Sequence, residues 1–423
     1  MKNRICLSFC FIALLLLSEH SGAQDTLRMS LPAAEKIFLQ KNLSLLAAKY
    51  NIDASKALIQ QAKLWDNPYL VTDQNVYDGE FFRHNADYGQ VYVQVQQLIR
   101  TAGKIKKQTK LATDNATLSQ EQFDELLRSL QYALRSDFIE TWHLLKQKKV
   151  YDVEIEEVGL LVKGMEEVYK AGNISLKDFM RLKALLFSLQ NELVNIHAQL
   201  IPVQSEIRLL IQSTDSAFIL PDMTYDLPEL INSSLPIADS LVALALDQRP
   251  ETRIARTALL YQQHNLLYQR ALAKPDVTVA PEFDQRSSYA TNLVGLTISL
   301  PLNIFNRNQG NIKAAKFGLQ EQETQVDFTA ESVKNEVVTS ITKVRYFQGV
   351  NNPEQLDFSN NYDKLFQSML DNYRKRTVSL LDFTDFLDSY KDNKLKLVEQ
   401  HIGLVKAIAE LNYTVNSNII PIQ

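Results

Sequence analysis

The stretch that decides the fold runs from Asn292 to Phe317, N-L-V-G-L-T-I-S-L-P-L-N-I-F-N-R-N-Q-G-N-I-K-A-A-K-F. Its first half alternates. Val294, Leu296, Ile298, Leu300 and Leu302 fall on one face, and Gly295, Thr297, Ser299 and Pro301 on the other, the period of a strand with one apolar side. At Asn303 the alternation stops, and past Gly310 the spacing of Ile312, Ala315 and Leu319 is helical. A strand facing an apolar medium therefore runs directly into a helix. The same hand-over comes earlier, where Val91, Val93 and Val95 alternate with Tyr92, Gln94 and Gln96 before Gly103 opens another helix.

The N-terminus reads as a secretory signal peptide over residues 1–23: Lys2 and Arg4, an apolar run from Ile5 to Leu17, then Ser21-Gly22-Ala23 for cleavage. Both cysteines, Cys6 and Cys10, fall inside it, so the processed chain is expected to have no disulfide, no Cys-ligated metal and no N-terminal lipid. Taking Lys2, Arg4 and Glu19 from 45 basic and 49 acidic residues leaves 43 and 48, a charge of −5, which gives no reason to expect nucleic acid. Twelve glycines and twelve prolines are few for this length, which predicts long uninterrupted elements. No later apolar run has the length of a transmembrane helix, so membrane contact must be made by strands.

In chain order, Pro32–Trp65 reads as a helix broken by Asn67-Pro68, followed by strands over 69–77 and 90–99 around a loop that begins at Asp78-Gly79. From Gly103 to about Lys170 the period stays helical, with a seam Ile155, Val158, Val162, Met165, Tyr169 in three–four steps. Such a helix is a rod of about 100 Å. Gly172-Asn173-Ile174-Ser175 turns the chain, with Gly172 as a C-cap and Ser175 with Asp178 as a capping box. The returning seam runs Leu182, Leu186, Leu189, Leu193, Ile196, Leu200, with Pro202 as a candidate kink, and 213–236 reads as a connector. Then the plan restarts. Arg249-Pro250, Lys274-Pro275 and Gly310 repeat Asn42-Leu43, Asn67-Pro68 and Gly103 at an offset of 207, and YRKRTVSLLDF (Tyr373–Phe383) repeats YKAGNISLKDF (Tyr169–Phe179) at 204. Two repeats follow, 24–225 with its helical hairpin at 103–212, and 226–423 with strands at 276–286 and 292–302 and a hairpin at 310–418.

Strands that are apolar on one side and polar on the other suit an outer-membrane barrel, with Val91, Val93, Val95, Val294, Leu296, Ile298 and Leu300 toward lipid. A barrel in lipid must close, and four strands are too few for one chain, so several copies must share it. An ordinary periplasmic sheet packed on helices, and a plain coiled-coil bundle without a conduit, are the competing readings. The helices are longer than a small sheet needs.

The segment Ser299–Ala315, with its core P-L-x-x-F-N-R-N-Q-G, resembles the strand-to-helix junction of the TolC-like outer-membrane efflux family, nearest to the branch that serves heavy-metal (cobalt-zinc-cadmium or copper-silver) pumps. The paired S-L-x-D-F turns and the x-P elements before each first strand resemble that family too, over about Leu31–Val415. The chain departs from many members of that branch in lacking a mature N-terminal cysteine, and its first junction, Q-Q-L-I-R-T-A-G-K, lacks the proline. The resemblance implies a membrane β-barrel plus an all-α coiled coil: a homotrimer with a shared twelve-stranded barrel, four strands per chain, and a long periplasmic helical tunnel. It implies a passive duct for heavy-metal cations, docked through a periplasmic adaptor to an inner-membrane pump of the resistance-nodulation-division type. A drug-efflux or type I secretion duct shares this architecture.

By the same resemblance the two turns dock the adaptor through Gly172, Asn173, Ser175, Leu176, Thr377, Ser379 and Leu380, and Asp382, with Asp385 beside it, lies at the tunnel's inner gate. Asp382 is also the third residue of a capping box begun by Ser379. Arg374, Lys375 and Arg376 suit a helix C-terminus against its dipole, and Arg374 and Arg376 are candidates to hold a closed gate by ion pairs. His84, His143, His197, His264 and His401 show no metal-ligand spacing. No nucleophile elbow, phosphate loop or dinucleotide fingerprint is present, so neither a cofactor nor an enzyme is expected.

Overall fold

The computed structural model describes residues 26–422 apart from Asp78, residues 84–88, Asp215, Tyr289 and Asn352. The signal-peptide expectation and His84 lie outside the described residues.

The chain opens with β1 (Thr26–Met29), then α1 (Leu31–Lys41) and α2 (Leu43–Lys63). The single helix expected over Pro32–Trp65 is thus two. Asn42 sits at φ −63°, ψ 120°, its side chain accepts from the Leu45 N–H to cap α2, and its Nδ2 donates to the Leu210 carbonyl at 2.9 Å. A buried Asn that satisfies a helix start and a distant carbonyl stabilises the break. The same break recurs 207 residues on, at Arg249, between α6 (Ala238–Gln248) and α7 (Pro250–Leu272).

Two strands follow each of these helices: β2 (Tyr69–Gln74) and β3 (Val91–Ile99) in the first half, β5 (Val277–Arg286) and β6 (Thr291–Ser299) in the second. They form one antiparallel sheet in the order β2-β3-β5-β6, so the two halves are joined through β3 and β5. The first strand ends at Gln74 rather than residue 77, and Tyr77 makes only an isolated bridge with Phe81. β6 ends at Ser299, which leaves Leu300 and Leu302 in the irregular segment after it. Within one chain, β2 and β6 are unpaired edges of this sheet.

From the sheet, α3 (Lys104–Lys170) runs 67 residues without a break and returns as α4 (Leu176–Ile211). The second half differs. Its outgoing rod is divided into α8 (Gln309–Val350) and α9 (Pro353–Arg374), because Pro353 cannot continue an α-helix ladder. Asn351, 1% exposed, holds the division by donating from Nδ2 to the Phe347 and Gln400 carbonyls. The return helix is α10 (Leu380–Val415). At the start of α8 the cap is Asn308 (φ 57°), and Gly310, past which the spacing turns helical, is the second residue of the helix; in the first half Gly103 (φ 65°) itself caps α3. Left-handed backbone at both junctions turns strand into helix, and Asn is the non-glycine residue that tolerates it best.

The connector is partly regular. β4 (Phe218–Pro221) pairs in parallel with β1, Thr26 opposite Phe218, and α5 (Leu227–Asn232) follows. These pieces cover a first core in which Phe38, Leu134, Phe138, Ile207, Ile219, Leu241, Val337 and Ile408 are fully or almost fully buried. Each such side chain contributes roughly 1.5–3 kcal/mol of burial. Across this region Arg128 and Arg249 tie four helices together. Arg128 donates to Glu125, Glu251 and the Tyr413 carbonyl, and Arg249 to Glu251, Glu336 and the Thr414 carbonyl. A second core, toward the hairpin ends, holds the seam positions Val158, Val162, Leu182, Leu189, Ile196 and Leu200.

Candidate functional site

Two regions position the side chains of interest: the sheet and the two hairpin turns. In the sheet, pairing places Gln94 opposite Glu282 and Glu282 opposite Gly295. Glu282 collects the polar face. Its Oε2 accepts from the Tyr92 hydroxyl (3.0 Å), Gln94 Nε2 (2.5 Å) and the Thr297 hydroxyl (3.2 Å). At Gly295 a Cβ would stand 3.0 Å from Glu282 Oε1, so any other residue there would push the Glu282 side chain aside. The other face is bare. Val294 (80% exposed), Leu296 and Ile298 alternate with half-buried Leu293, Gly295 and Thr297, Val95 is exposed, and Val91 and Val93 are half-buried. Leu300 is exposed beyond the strand end. The side chains named from the sequence therefore share a solvent-facing apolar surface, which in water is unfavourable.

The strand-to-helix junctions are fastened by charge. Arg100 donates from Nε and Nη2 to Asp66 at 2.7 and 2.8 Å, and Lys104 reaches Asp276 at 2.7 Å. Asn308 Nδ2 ties the second junction to the Gln269 carbonyl at 2.8 Å.

The two turns are built alike. Gly172 (φ 72°) and Arg376 (φ 60°) are the left-handed residues, and Asn173 and Thr377 donate back to the carbonyls of Val168 and Asn372. Ser175 and Ser379 cap the return helices, each accepting from the N–H of Asp178 or Asp382 and donating its hydroxyl to that carboxylate at 2.7 Å. Behind each turn a stacked pair closes the hairpin: Tyr169 on Phe179 at 5.1 Å, Tyr373 on Phe383 at 4.4 Å. Gly172, Asn173, Ser175, Leu176, Thr377 and Ser379 are exposed, and Leu380 is half-buried against the second core.

Of the gate residues named from the sequence, the structure does not bring Arg374 or Arg376 to Asp382 or Asp385 within one chain. Arg374 donates to Glu157 of α3 at 2.7 Å and lies 3.7 Å from Asp371. Asp385 lies 3.8 Å from Arg181 of α4, and Asp382 is engaged by Ser379. A third link, Lys391 to Glu192 at 3.0 Å, also crosses between the hairpins. The sequence reading missed a buried carboxylate beside it. Glu154 is 1% exposed with Oε1 unpartnered among the described residues, and burial pushes its pKa up to about 8 against the pull of Lys391. Its place on a helical stripe with Tyr151 and Val158 was the available signal.

Among the described residues no group of three or more His, Cys, Asp or Glu side chains could hold a metal ion, and no helix is long and apolar enough to cross a membrane.

No family model matches the chain, and no curated protein matches it. Solved structures do. A membrane protein from Pseudomonas aeruginosa is similar at a TM-score of 0.74 and 15% identity, over 91% of this chain and 93% of that one. CusC, whose crystal structures concern folding and transmembrane channel formation, is similar at 0.74 and 14%, over 95% of each chain. The outer-membrane channel OprN is similar at 0.73 and 16%, over 92% of this chain and 91% of that one. At these identities the likeness is one of fold, and the fold is that of outer-membrane channel proteins.

Proposed function

We propose that the chain is the outer-membrane channel of a tripartite efflux system, a passive homotrimeric duct that carries heavy-metal cations from an inner-membrane pump of the resistance-nodulation-division type and its periplasmic adaptor. The sheet carries this reading. Four strands with two unpaired edges and a bare apolar face leave backbone amides and hydrophobic area unsatisfied in one chain. Pairing β6 of one copy with β2 of the next satisfies the edges, and three copies close a twelve-stranded barrel. Lipid then covers Val294, Leu296 and Ile298, while Tyr92, Gln94, Glu282 and Thr297 face a wet lumen. A rod of about 100 Å at the end of such a barrel suits a tunnel. Solved proteins of similar fold include an outer-membrane channel and one that forms a transmembrane channel, which supports the same function and place.

The P-L-x-x-F-N-R-N-Q-G junction, through its resemblance to the heavy-metal branch, and the carboxylates Asp382 and Asp385 of the second turn favour a cationic cargo. The exposed turns, with Leu176 56% exposed, suit adaptor docking. The test is a salt wash of isolated membranes, cross-linking, and planar-bilayer conductance of the purified protein. Retention in the outer membrane, a trimer band and single-channel steps are expected. A salt-released, non-conducting coiled coil overturns the reading. Cells lacking the protein should become sensitive to divalent metals, and Leu176→Glu should restore the trimer without restoring resistance. Sensitivity confined to drugs, or loss of a secreted protein, keeps the duct and replaces its cargo.

A further inference from the structure

We propose that the strand-to-helix junctions form a collar that docks on anionic phospholipid headgroups of the leaflet facing the helices, an inference that rests on the barrel reading above. Two exposed aromatic sets bound the apolar face of the sheet. Tyr77, Phe81 and Phe82 lie at its loop end, and Trp65 and Phe305, the latter 91% exposed, lie at its helix end with Ile304. One strand of nine or ten residues separates the sets. Tilted as barrel strands are, that is a height of about 25 Å, the thickness of the apolar band of an outer-membrane barrel. Trp and Phe at that boundary have an apolar body to bury, and the Trp N–H has headgroups to meet.

Just past the aromatic set at the helix end the charge is one-sided. Lys63, Lys106, Lys110, Arg307, Lys313 and Lys316 are exposed. The carboxylates at this level, Asp66 and Asp276, are already held by Arg100 and Lys104. Neither α3 nor α8 has an acidic residue in its first turn. Lysines there oppose the helix dipole, so the arrangement is unfavourable for the chain alone. A layer of phosphates beside them reverses that balance, and long lysine stems reach it while the helix stays in water. Apolar anchors above a cationic band match a lipid surface better than a second protein, which would need carboxylates at matching positions.

The experiment uses the full-length protein in phosphatidylcholine vesicles with and without phosphatidylglycerol, containing lipids brominated near the headgroup or deep in the acyl chain. Trp142 is the built-in reference, because it packs on Tyr225 on the order of 55 Å along α3 from the sheet. Subtracting the emission of Trp65→Phe isolates Trp65. Shallow bromines should quench Trp65 at least twofold more than deep ones. Phosphatidylglycerol should raise Tm by several degrees, and the combined variant Lys106→Glu, Lys110→Glu, Lys313→Glu, Lys316→Glu should lose that rise. In a Trp65→Phe background, Leu296→Trp should be quenched by deep bromines. If Leu296→Trp is quenched and Trp65 is not, or if the charge-reversed variant keeps its rise in Tm, the collar is wrong and the barrel stands. If neither tryptophan is quenched, both fall.

Discussion

At the turn that ends α9, Arg376 occupies the left-handed region that Gly172, its counterpart 204 residues earlier, fills without strain. A side chain there costs on the order of 1–2 kcal/mol, part of which glycine gives back through a freer unfolded chain. Arg376→Gly should therefore stabilise the protein by about 0.5–1 kcal/mol in chemical denaturation, and Gly172→Arg should destabilise it by a similar amount. Equal and opposite failure of these signs would mean that the arginine side chain holds the turn. The same comparison explains what a sequence hides. The return helices α4 and α10 end on left-handed Gln212 and Asn416, again 204 apart; Asn416 is a type that tolerates that backbone, but Gln212 is not, so nothing announced the cap in the first half. Glu154 is hidden for another reason, since one carboxylate on a helical stripe looks solvated until its neighbours are placed. Its folded pKa of about 8 lies above its ordinary 4.5, so the folded chain binds the extra proton. Its contribution to stability should be greatest below about pH 4.5, fall as pH rises from there through about 8, and level off above. Tyr151 on its own helix, Glu192 on α4, and Asp388, Tyr390, Lys391 and Asp392 on α10 are the ionisable groups around it. Hydrogen exchange of the distal hairpins against pH should show this slope in the wild type and lose it in Glu154→Gln.

Elements divide into those written as long periods and those set by a single contact. The 67-residue α3 was legible because nothing interrupts its period, and β3 and β6 because alternation marks both faces. The break at Asn42 was not, since no proline or glycine marks it and its cause is a bond to a carbonyl 168 residues away. The four-residue β1 and β4 are too short to carry a period, and they exist because each completes the other. The division at Asn351–Pro353 does carry a proline, but the repeat aligns it with the unbroken α3 of the first half. For β6 the pattern makes a directional claim. Ile298→Arg places a charge on the bare face and should cost roughly 2–4 kcal/mol in a bilayer folding assay. Thr297→Arg falls beside Glu282, which already accepts from the Thr297 hydroxyl, and should cost much less. Equal damage at both sites would remove the assignment of faces.

The whole molecule is one chain whose hairpins are clasped by ion pairs, with Glu157–Arg374, Arg181–Asp385 and Glu192–Lys391 all crossing between them. In the proposed trimer these links hold each hairpin pair together and leave Asp382, engaged only by its own capping serine among the described residues, on the exposed rim of the second turn. Three copies of Asp382 and Asp385 around one axis attract cations and repel anions, and their mutual repulsion favours a wider aperture unless Arg181 compensates. Asp382→Asn should then lower cation-over-anion selectivity of the purified channel in a planar bilayer and weaken block by divalent cations added at the hairpin side. Asp385→Asn frees Arg181 and should lower selectivity further than loss of one charge alone, because a cation is left unbalanced beside the aperture. Asp178→Asn removes the matching carboxylate of the first turn, which makes the same cap. It therefore controls for damage to the helix start. A fall in selectivity for Asp382→Asn and Asp385→Asn but not Asp178→Asn places the second hairpin at the aperture. If Asp178→Asn has the largest effect, the first hairpin lines it instead, and if none of the three alters selectivity, these carboxylates cap their helices and do nothing more.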